Sequence, residues 1–413
     1  MYQSTQHPDP DDEGLLLSQA IAQIESSGLK GLSLRSLAQS AGISPSLLTY
    51  RYGSRNKLLA KVFEYAKVRE QSNWQWREAA LSDLTLSRPD LTSLALTIAQ
   101  DEIASQTRTA LVGWIGQTTA ERDTALKSVM SDWHVFATDF WAARFAGIGL
   151  DTALAPSFAG VLNGAVRIGL LAGSDLRMKA WMNDILLRLC DRINHRPLST
   201  PGDSAARAAL EHSGLETQDE EPEARTATPD RIIDAAVKLI LSHGPDSLTH
   251  RLIARESGIS LSSMTHHFGS LDEIMLRAFQ RIYDTVTKES SHALTAHNSV
   301  TSLCETVLPA IFGRVRRRGF GGFAMDEVIL YTSRQASSAP LAGGLLAMTG
   351  RTSTALLQSI DPVGKRADRL DGQIFRFVLT GLSQQSLSLP LEQRERWMVD
   401  QCKIFLAAYW PET

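Results

Sequence analysis

An internal repeat constrains this chain more than any other feature. Ala20, Ile24, Ser26, Gly28, Leu32, Arg35 and Ala38 recur 216 residues later as Ala236, Ile240, Ser242, Gly244, Leu248, Arg251 and Ala254. Gly42, Ile43, Ser44, Ser46, Thr49, Gly53 and Ser54 recur at the same offset as Gly258, Ile259, Ser260, Ser262, Thr265, Gly269 and Ser270, with no gap. The offset also carries Trp181-Met182 onto Trp397-Met398 and Asp184 onto Asp400. A pattern repeated once at a fixed offset implies two related folding units in one polypeptide. The middles of the two units do not align, so they have diverged there. A length of 413 residues allows two to four domains at roughly 100–200 residues each.

The periodicity is helical throughout. Apolar residues fall three and four apart in Leu16–Ile24, Ile185–Ile193, Ile232–Ile240 and Ile374–Leu382, and alternating β-branched runs are absent, so the expected fold class is all-α. Thr228-Pro229 predicts a cap followed by proline in a first turn, and Ser270 to Glu273 predicts a capping box reaching back to the cap amide. Gly28 and Gly244 sit where a first helix stops in each unit. Between the units, residues 196–228 hold Pro197, Pro201, Gly202, Gly214, Pro222 and the acidic run Asp219-Glu220-Glu221, and read as a linker. Ala205–Leu210 is a candidate short helix inside it.

Within each repeated window the residues spell one supersecondary unit. Ser33 or Thr249 caps a short second helix whose buried side is Leu34, Leu37 and Ala38, or Leu252, Ile253 and Ala254. Gly42 or Gly258 supplies a residue able to enter a left-handed turn at little steric cost. Ser44 or Ser260 then caps a third helix, Pro45–Tyr52 or Leu261–Phe268. Helix, glycine turn and serine-capped helix form a helix-turn-helix, whose last helix enters the DNA major groove. The caps leave amides and a positive helix end outward, which favours phosphate. Thr49, Tyr50 and Arg51 are expected on the outer face of the first copy, with His266 and His267 replacing the last two in the second. Arginine can grip a guanine edge and threonine can touch a thymine methyl. Arg35 and Arg251 begin their helices within reach of a phosphate.

The two windows, SLAQSAGISPSLLTYRYGSRNKLL and LIARESGISLSSMTHHFGSLDEIM, resemble the N-terminal domain of the tetracycline-repressor (TetR) family over about fifty residues per copy. The resemblance implies five domains: a helix-turn-helix head at 13–65, a helical regulatory body at 66–195, the linker at 196–228, a second head at 229–285 and a second body at 286–410. It completes the expected DNA-facing set with Ser46, Tyr52, Arg55 and Lys57 in the first head and Ser262 in the second, beside Thr265. It further implies bodies that pair through their last two helices, here about Pro156–Ala172 with Leu176–His195 and Lys365–Leu387 with Leu391–Tyr409. One chain would then stand as a single-chain pseudo-dimer, with a homodimer of two chains as the alternative assembly. The expected partners are a double-stranded DNA operator, an imperfect palindrome because the heads differ, and a small-molecule inducer held in a body; repression is expected over activation. Two departures stand out. The family usually carries a phosphate-holding tyrosine where this chain has Thr49 and Thr265, and Leu271 replaces the cation seen at Arg55.

Composition narrows the rest. The net charge of −3 rules out a generally basic protein, so any nucleic-acid face is local. Residues 13–61 carry six Lys/Arg against two Asp/Glu, and residues 229–277 carry five against six, which implies that the first head is the stronger anchor. The first middle is aromatic-rich, with Trp74, Trp76, Trp114, Trp133, Phe136, Phe140, Trp141 and Phe145; Trp114, Trp133, Phe136 and Phe140 are the candidate lining of an inducer pocket. The second has Phe312, Phe320, Phe323 and Tyr331, and Arg314, Arg316, Arg317 and Arg318 read as a solvated helix end. Cys190, Cys304 and Cys402 are widely spaced, as befits reduced core thiols, and adjacent His266-His267 point too far apart to chelate a metal alone. No cofactor motif, catalytic elbow or zinc-protease signature occurs, so an enzyme is not expected. The polar, acidic start lacks a signal-peptide pattern, and no run of about 18 apolar residues occurs, so a cytoplasmic location without membrane insertion is expected. The rival class is a protein-interaction or architectural module whose heads keep the fold but have lost sequence reading.

Overall fold

A computed structural model describes residues 10–105, 108–120, 123–199, 202–213, 227–293, 299–311, 323–335, 339–361 and 367–410. The basic cluster at Arg314, Arg316, Arg317 and Arg318, together with Phe312, Phe320, Pro201, Gly214, Pro222 and Asp219–Glu221, lies outside them. The fold is all-α, with no strand among the described residues. The first half comprises α1 (Pro10–Gly31), α2 (Leu34–Ala41), α3 (Pro45–Tyr52), α4 (Arg55–Ala80), α5 (Leu91–Ala104), α6 (Thr109–Thr119), α7 (Thr124–Met130), α8 (Val135–Ile148), α9 (Ala155–Ala172) and α10 (Leu176–Ile193). After α11 (Ser204–His212), the second half comprises α12 (Ala227–His243), α13 (His250–Ser257), α14 (Leu261–His267), α15 (Leu271–Ala293), α16 (Val300–Ile311), α17 (Ala324–Arg334), α18 (Ala339–Met348), α19 (Arg351–Ser359), α20 (Arg369–Gln385) and α21 (Leu391–Tyr409).

Local signals set most of these boundaries. Gly28, at φ 69°, breaks α1 where a stop was expected, and Gly244, at φ 78°, follows the end of α12. Two cap expectations shift. Helix α12 already begins at Ala227, so Thr228 lies inside its first turn rather than capping it. Glu273 does reach back, but its carboxylate accepts from the amide of Gly269 (2.9 Å), one residue before the cap, while Ser270 Oγ accepts from Glu273 N (3.1 Å). The expected head–body boundaries at 65/66 and 285/286 fall inside the continuous helices α4 and α15, so each head is carried on a helix that continues into its body. Part of the expected linker is packed structure. Ala206, Ala209 and Leu210 of α11 are buried, where the helix packs against α10 and α18.

The halves meet along α9, α10, α20 and α21. Helices α9 and α20 cross at two glycines; a Cβ built on Gly381 would lie 2.5 Å from Gly160 Cα. One turn on, Gly164 leaves room for the Phe377 ring, which a Cβ would approach to 2.2 Å. Small residues at a crossing let two helix backbones approach closely, and buried side chains then fill the grooves. Polar groups lock the register. Trp181 Nε1 donates to Gln373 Oε1 (2.8 Å), and Gln385 Nε2 donates to the Pro156 carbonyl (2.8 Å). Fully buried Asp371 accepts from Arg188 (3.0 Å), Arg192 (3.2 Å) and Tyr409 Oη (2.7 Å). Among the described residues, helix α9 belongs to the one segment, Thr152–Ala172, that is long and apolar enough to cross a membrane (mean hydropathy 1.4). Its window is 78% buried inside the protein, which is the signature of a core helix.

Candidate nucleic-acid interface and effector cavity

The two heads are built by the same local chemistry. Ser33 Oγ accepts from Ser36 N (3.0 Å) and Thr249 Oγ1 from Leu252 N (3.2 Å), opening α2 and α13. Gly42 and Gly258 adopt the same left-handed conformation, φ 67° and ψ 26° against φ 67° and ψ 23°. Ser44 Oγ accepts from Leu47 N and Ser260 Oγ from Ser263 N, both at 3.2 Å, opening α3 and α14. A second serine stands beside each cap, Ser46 Oγ 3.1 Å from Ser44 Oγ and Ser262 Oγ 3.2 Å from Ser260 Oγ. All four serines are exposed, so each third helix presents its capping hydroxyls to solvent. Leu48 and Tyr52 hold α3 to its head, and Met264 holds α14.

The outer faces carry the expected residues, with corrections. Arg35, Thr49, Tyr50 and Lys57 are exposed, as are Arg251, Thr265, His266 and His267. Tyr50 is 91% exposed and projects furthest. Thr49 Oγ1 donates to the Pro45 carbonyl (3.0 Å) and Thr265 Oγ1 to the Ser262 carbonyl (3.0 Å), so both hydroxyls turn back on their own helices and offer their methyls outward. Tyr52 is a correction: it is 6% exposed, and its hydroxyl donates to Glu13 (3.2 Å). Burial pushes that phenol up to about 12, so it stays a neutral core group. Arg55 is the second correction. Its guanidinium folds inward to the carbonyls of Leu32 (2.8 Å) and Leu29, tying α4 to the end of α1 instead of facing outward. Arg51 is half-buried beside Glu13 (3.4 Å). Leu47, 47% exposed one turn before Tyr50, is an outer-face residue that the sequence reading passed over. A leucine at that spacing reads as core until the burial of Leu48 fixes which side faces in.

Local pairing removes much of the charge contrast between the heads. Asp230 and Asp234 bind Arg281, Glu256 binds Lys238, and Asp246 binds Arg334. Glu273 is occupied with the Gly269 amide. The acidic residues of the second head are therefore largely neutralised by partners, and its third helix carries none.

Trp114 and Trp133 line a cavity in the first body. Glu70, Glu102, Gln117, His134, Asn163 and Arg167 line it with them. It encloses about 20 Å³, room for roughly one water. Phe140 does not line it. Its ring is 5.2 Å from those of both Trp74 and Trp141, in an aromatic chain that continues to Phe145 and Phe158 and forms the core of the body. Phe136 packs half-buried against that core and is likewise no part of the lining. The polar side of the wall was not legible from the aromatic pattern. Burial pushes the Glu102 carboxyl up to about 8 against the pull of Arg77, with Glu70 adding to the rise. His134 is 4% exposed; burial drives it down to about 3, and neither ring nitrogen has a hydrogen-bond partner. The site thus combines flat apolar walls with neutral groups able to donate or accept.

Geometry of this kind is that of a helix-turn-helix. Residues 232–278, from α12 into α15, match the family model described as bacterial regulatory proteins, tetR family. That match supports a DNA-binding transcription regulator of the TetR family. Comparison with curated proteins finds no match.

Proposed function

We propose that the chain is a sequence-specific transcriptional regulator that sets two helix-turn-helix heads on neighbouring half-sites of one operator as a single-chain pseudo-dimer. The observation that carries this reading is the matched pair of serine-capped, outward-facing helices, α3 and α14, on bodies joined along α9, α10, α20 and α21. Joining the halves removes the need to find a partner, because each head meets DNA at the effective concentration set by the other. Two heads fit half-sites about one helical turn apart, roughly 34–36 Å. Since α3 offers Leu47, Tyr50 and Arg51 where α14 offers Ser263, His266 and His267, the operator is an imperfect palindrome. A small molecule that opens the first body's cavity beyond its present room for one water relieves binding by favouring another head spacing, which makes the protein a ligand-responsive repressor acting in the cytoplasm. The relief equals the ligand's differential affinity for the two spacings.

One observation favours a second reading, a protein-interaction module. Leu47, Tyr50 and Leu261 are exposed apolar side chains on the heads, and such groups suit a protein surface as well as thymine methyls. Binding of the purified chain to the DNA upstream of its own gene, against scrambled competitor and across a salt series, separates the two. Specific binding that falls steeply with salt supports the regulator; equal affinity for scrambled DNA supports the module.

A further inference from the structure

At one end helix α17 binds Trp114 and Arg167, two residues that line the first body's cavity, and at the other it meets both heads. At its N-terminal end, Asp326 is fully buried and bound across the halves. It accepts from Trp114 Nε1 (3.3 Å) and Arg167 (2.8 Å) of the first body, and from Arg376 (2.5 Å) of the second. Burial pushes its carboxyl up, but Arg376 and Arg167 outweigh that and hold it below the ordinary range, so it is an anion locked to the cavity wall. Arg167 also donates to Gln117 (3.2 Å) and Gln384 (3.0 Å), and its guanidinium lies 5.2 Å from the Trp114 ring. Trp114 and Arg167 therefore line the cavity and hold α17 at once.

At the other end, eight residues or about 12 Å further on, Arg334 grips both carboxylate oxygens of Asp246 (2.9 and 3.1 Å). Asp246 lies in the short turn Pro245–Ser247, directly before α13 of the second head. The same pair presses on the first head. A Cβ built on Gly28 would lie 2.7 Å from Asp246 Oδ2 and 2.8 Å from Arg334 Nη2. Beside this contact is a cavity of about 210 Å³ lined by Lys30, Asp246, Glu327, Leu330 and Arg334 among others, which leaves the junction free space on one side.

We infer that α17 couples the first body's cavity to the second head and to the junction of both heads, so that occupancy of one half sets the position of the other half's DNA-reading unit. The inference rests on the ligand-responsive reading above. A group entering between Trp114 and His134 displaces the Trp114 indole or the Arg167 guanidinium, and with it the anchor of Asp326. A packed helix answers by shifting as a unit, typically by about 1–2 Å. Its far end then carries Arg334 and Asp246, and the head spacing changes. The path runs across the joint between the halves, so one ligand would act on both heads.

Distances between the heads test this with neither DNA nor ligand, so the coupling can fail while the DNA-binding reading stands, and the reverse. Spin labels at Gln39→Cys and Arg255→Cys, equivalent exposed positions on α2 and α13, report the spacing in the full chain; Cys190, Cys304 and Cys402 are buried and resist the label. Trp114→Phe removes the indole N–H and keeps most of the packing, and Arg334→Gln cuts the far end. The expected result is a shift of about 1–2 Å or a matching broadening in each variant, with no further change in the double variant. Amide exchange over residues 250–267 is the second readout, rising alike in both. An unchanged distance and unchanged exchange in Trp114→Phe overturn the coupling, and so do effects of the two substitutions that simply add.

Discussion

Asp371→Asn probes the joint between the halves at its most buried charge. Asp371 is 0% exposed and takes hydrogen bonds from Arg188, Arg192 and Tyr409; Arg188 is 1% exposed. The asparagine keeps the volume and one acceptor; the anion is lost, and the amide NH2 that replaces one oxygen faces donors, Arg188 and Arg192 at Oδ2 or Tyr409 Oη at Oδ1. Breaking a buried ion pair by removing one partner costs about 3–5 kcal/mol, because the remaining charge stays buried without compensation. Arg188 retains Asp368 at 2.9 Å, a carboxylate 38% exposed and therefore weakened by solvent, which places the expected loss at the low end, about 3 kcal/mol. Urea unfolding followed by tryptophan fluorescence reads it, since Trp181 and Trp410 flank the site. Adding Arg188→Met recovers part of the loss by removing the buried guanidinium that faced Asp371. A loss below about 1 kcal/mol, or a further loss in the double variant, refutes the reasoning that this network holds the joint.

Further outcomes follow from the same structure. Gly381→Ala lowers stability by up to about 2 kcal/mol, because a methyl 2.5 Å from the Gly160 backbone outweighs the gain of about 1 kcal/mol in helix propensity; a more stable variant on urea titration would contradict the crossing. Between about pH 4.5 and 8 the folded chain keeps a proton on Glu102 that the unfolded chain has lost, so stability falls as pH rises through that window, by up to about 1.4 kcal/mol per unit, and Glu102→Gln flattens that slope in urea midpoints. His134 works in the opposite sense, its contribution being lost as pH falls from about 6.5 towards 3, and His134→Asn flattens the acid limb. Lys57→Ala lowers the slope of log affinity against log salt by about 0.9, and Arg51→Ala weakens binding to upstream DNA more than His267→Ala; the reverse ranking would show the second head to be the stronger anchor. Burial raises the thiols of Cys190, Cys304 and Cys402, so the native chain resists alkylation at pH 8 and reacts only once unfolded.

The heads were legible in sequence because their geometry is set by local chemistry. A serine three residues before an amide and a glycine at a left-handed turn act over one turn of helix, and they were read to the residue at Ser44, Gly42, Ser260 and Gly258. The direction of a side chain was harder. Tyr52 and Arg55 lie close after the expected DNA-facing residues, yet one turns to Glu13 and the other to the Leu29 and Leu32 carbonyls, because α1 and the residue after it lie on that side. The bodies were least legible. Aromatic density marked a core, but which ring faces a cavity depends on neighbours distant in sequence: Trp74 and Trp141 enclose Phe140, and Asp326 claims Trp114. Glu102, His134 and Arg167 are ordinary residues in the sequence and become unusual only through burial. The cross-half network around Asp326 and Asp371 was out of reach for the same reason, since charged residues read as solvated until their partners are in place.

Stoichiometry on DNA tests the central proposal most directly. Sedimentation of the protein with a duplex of its upstream DNA gives the number of chains per duplex, and a footprint gives the span they protect. The proposal requires one chain of 45.3 kDa per duplex and protection of two unequal half-sites about one helical turn apart. Two chains per duplex, or protection of one half-site only, would contradict it.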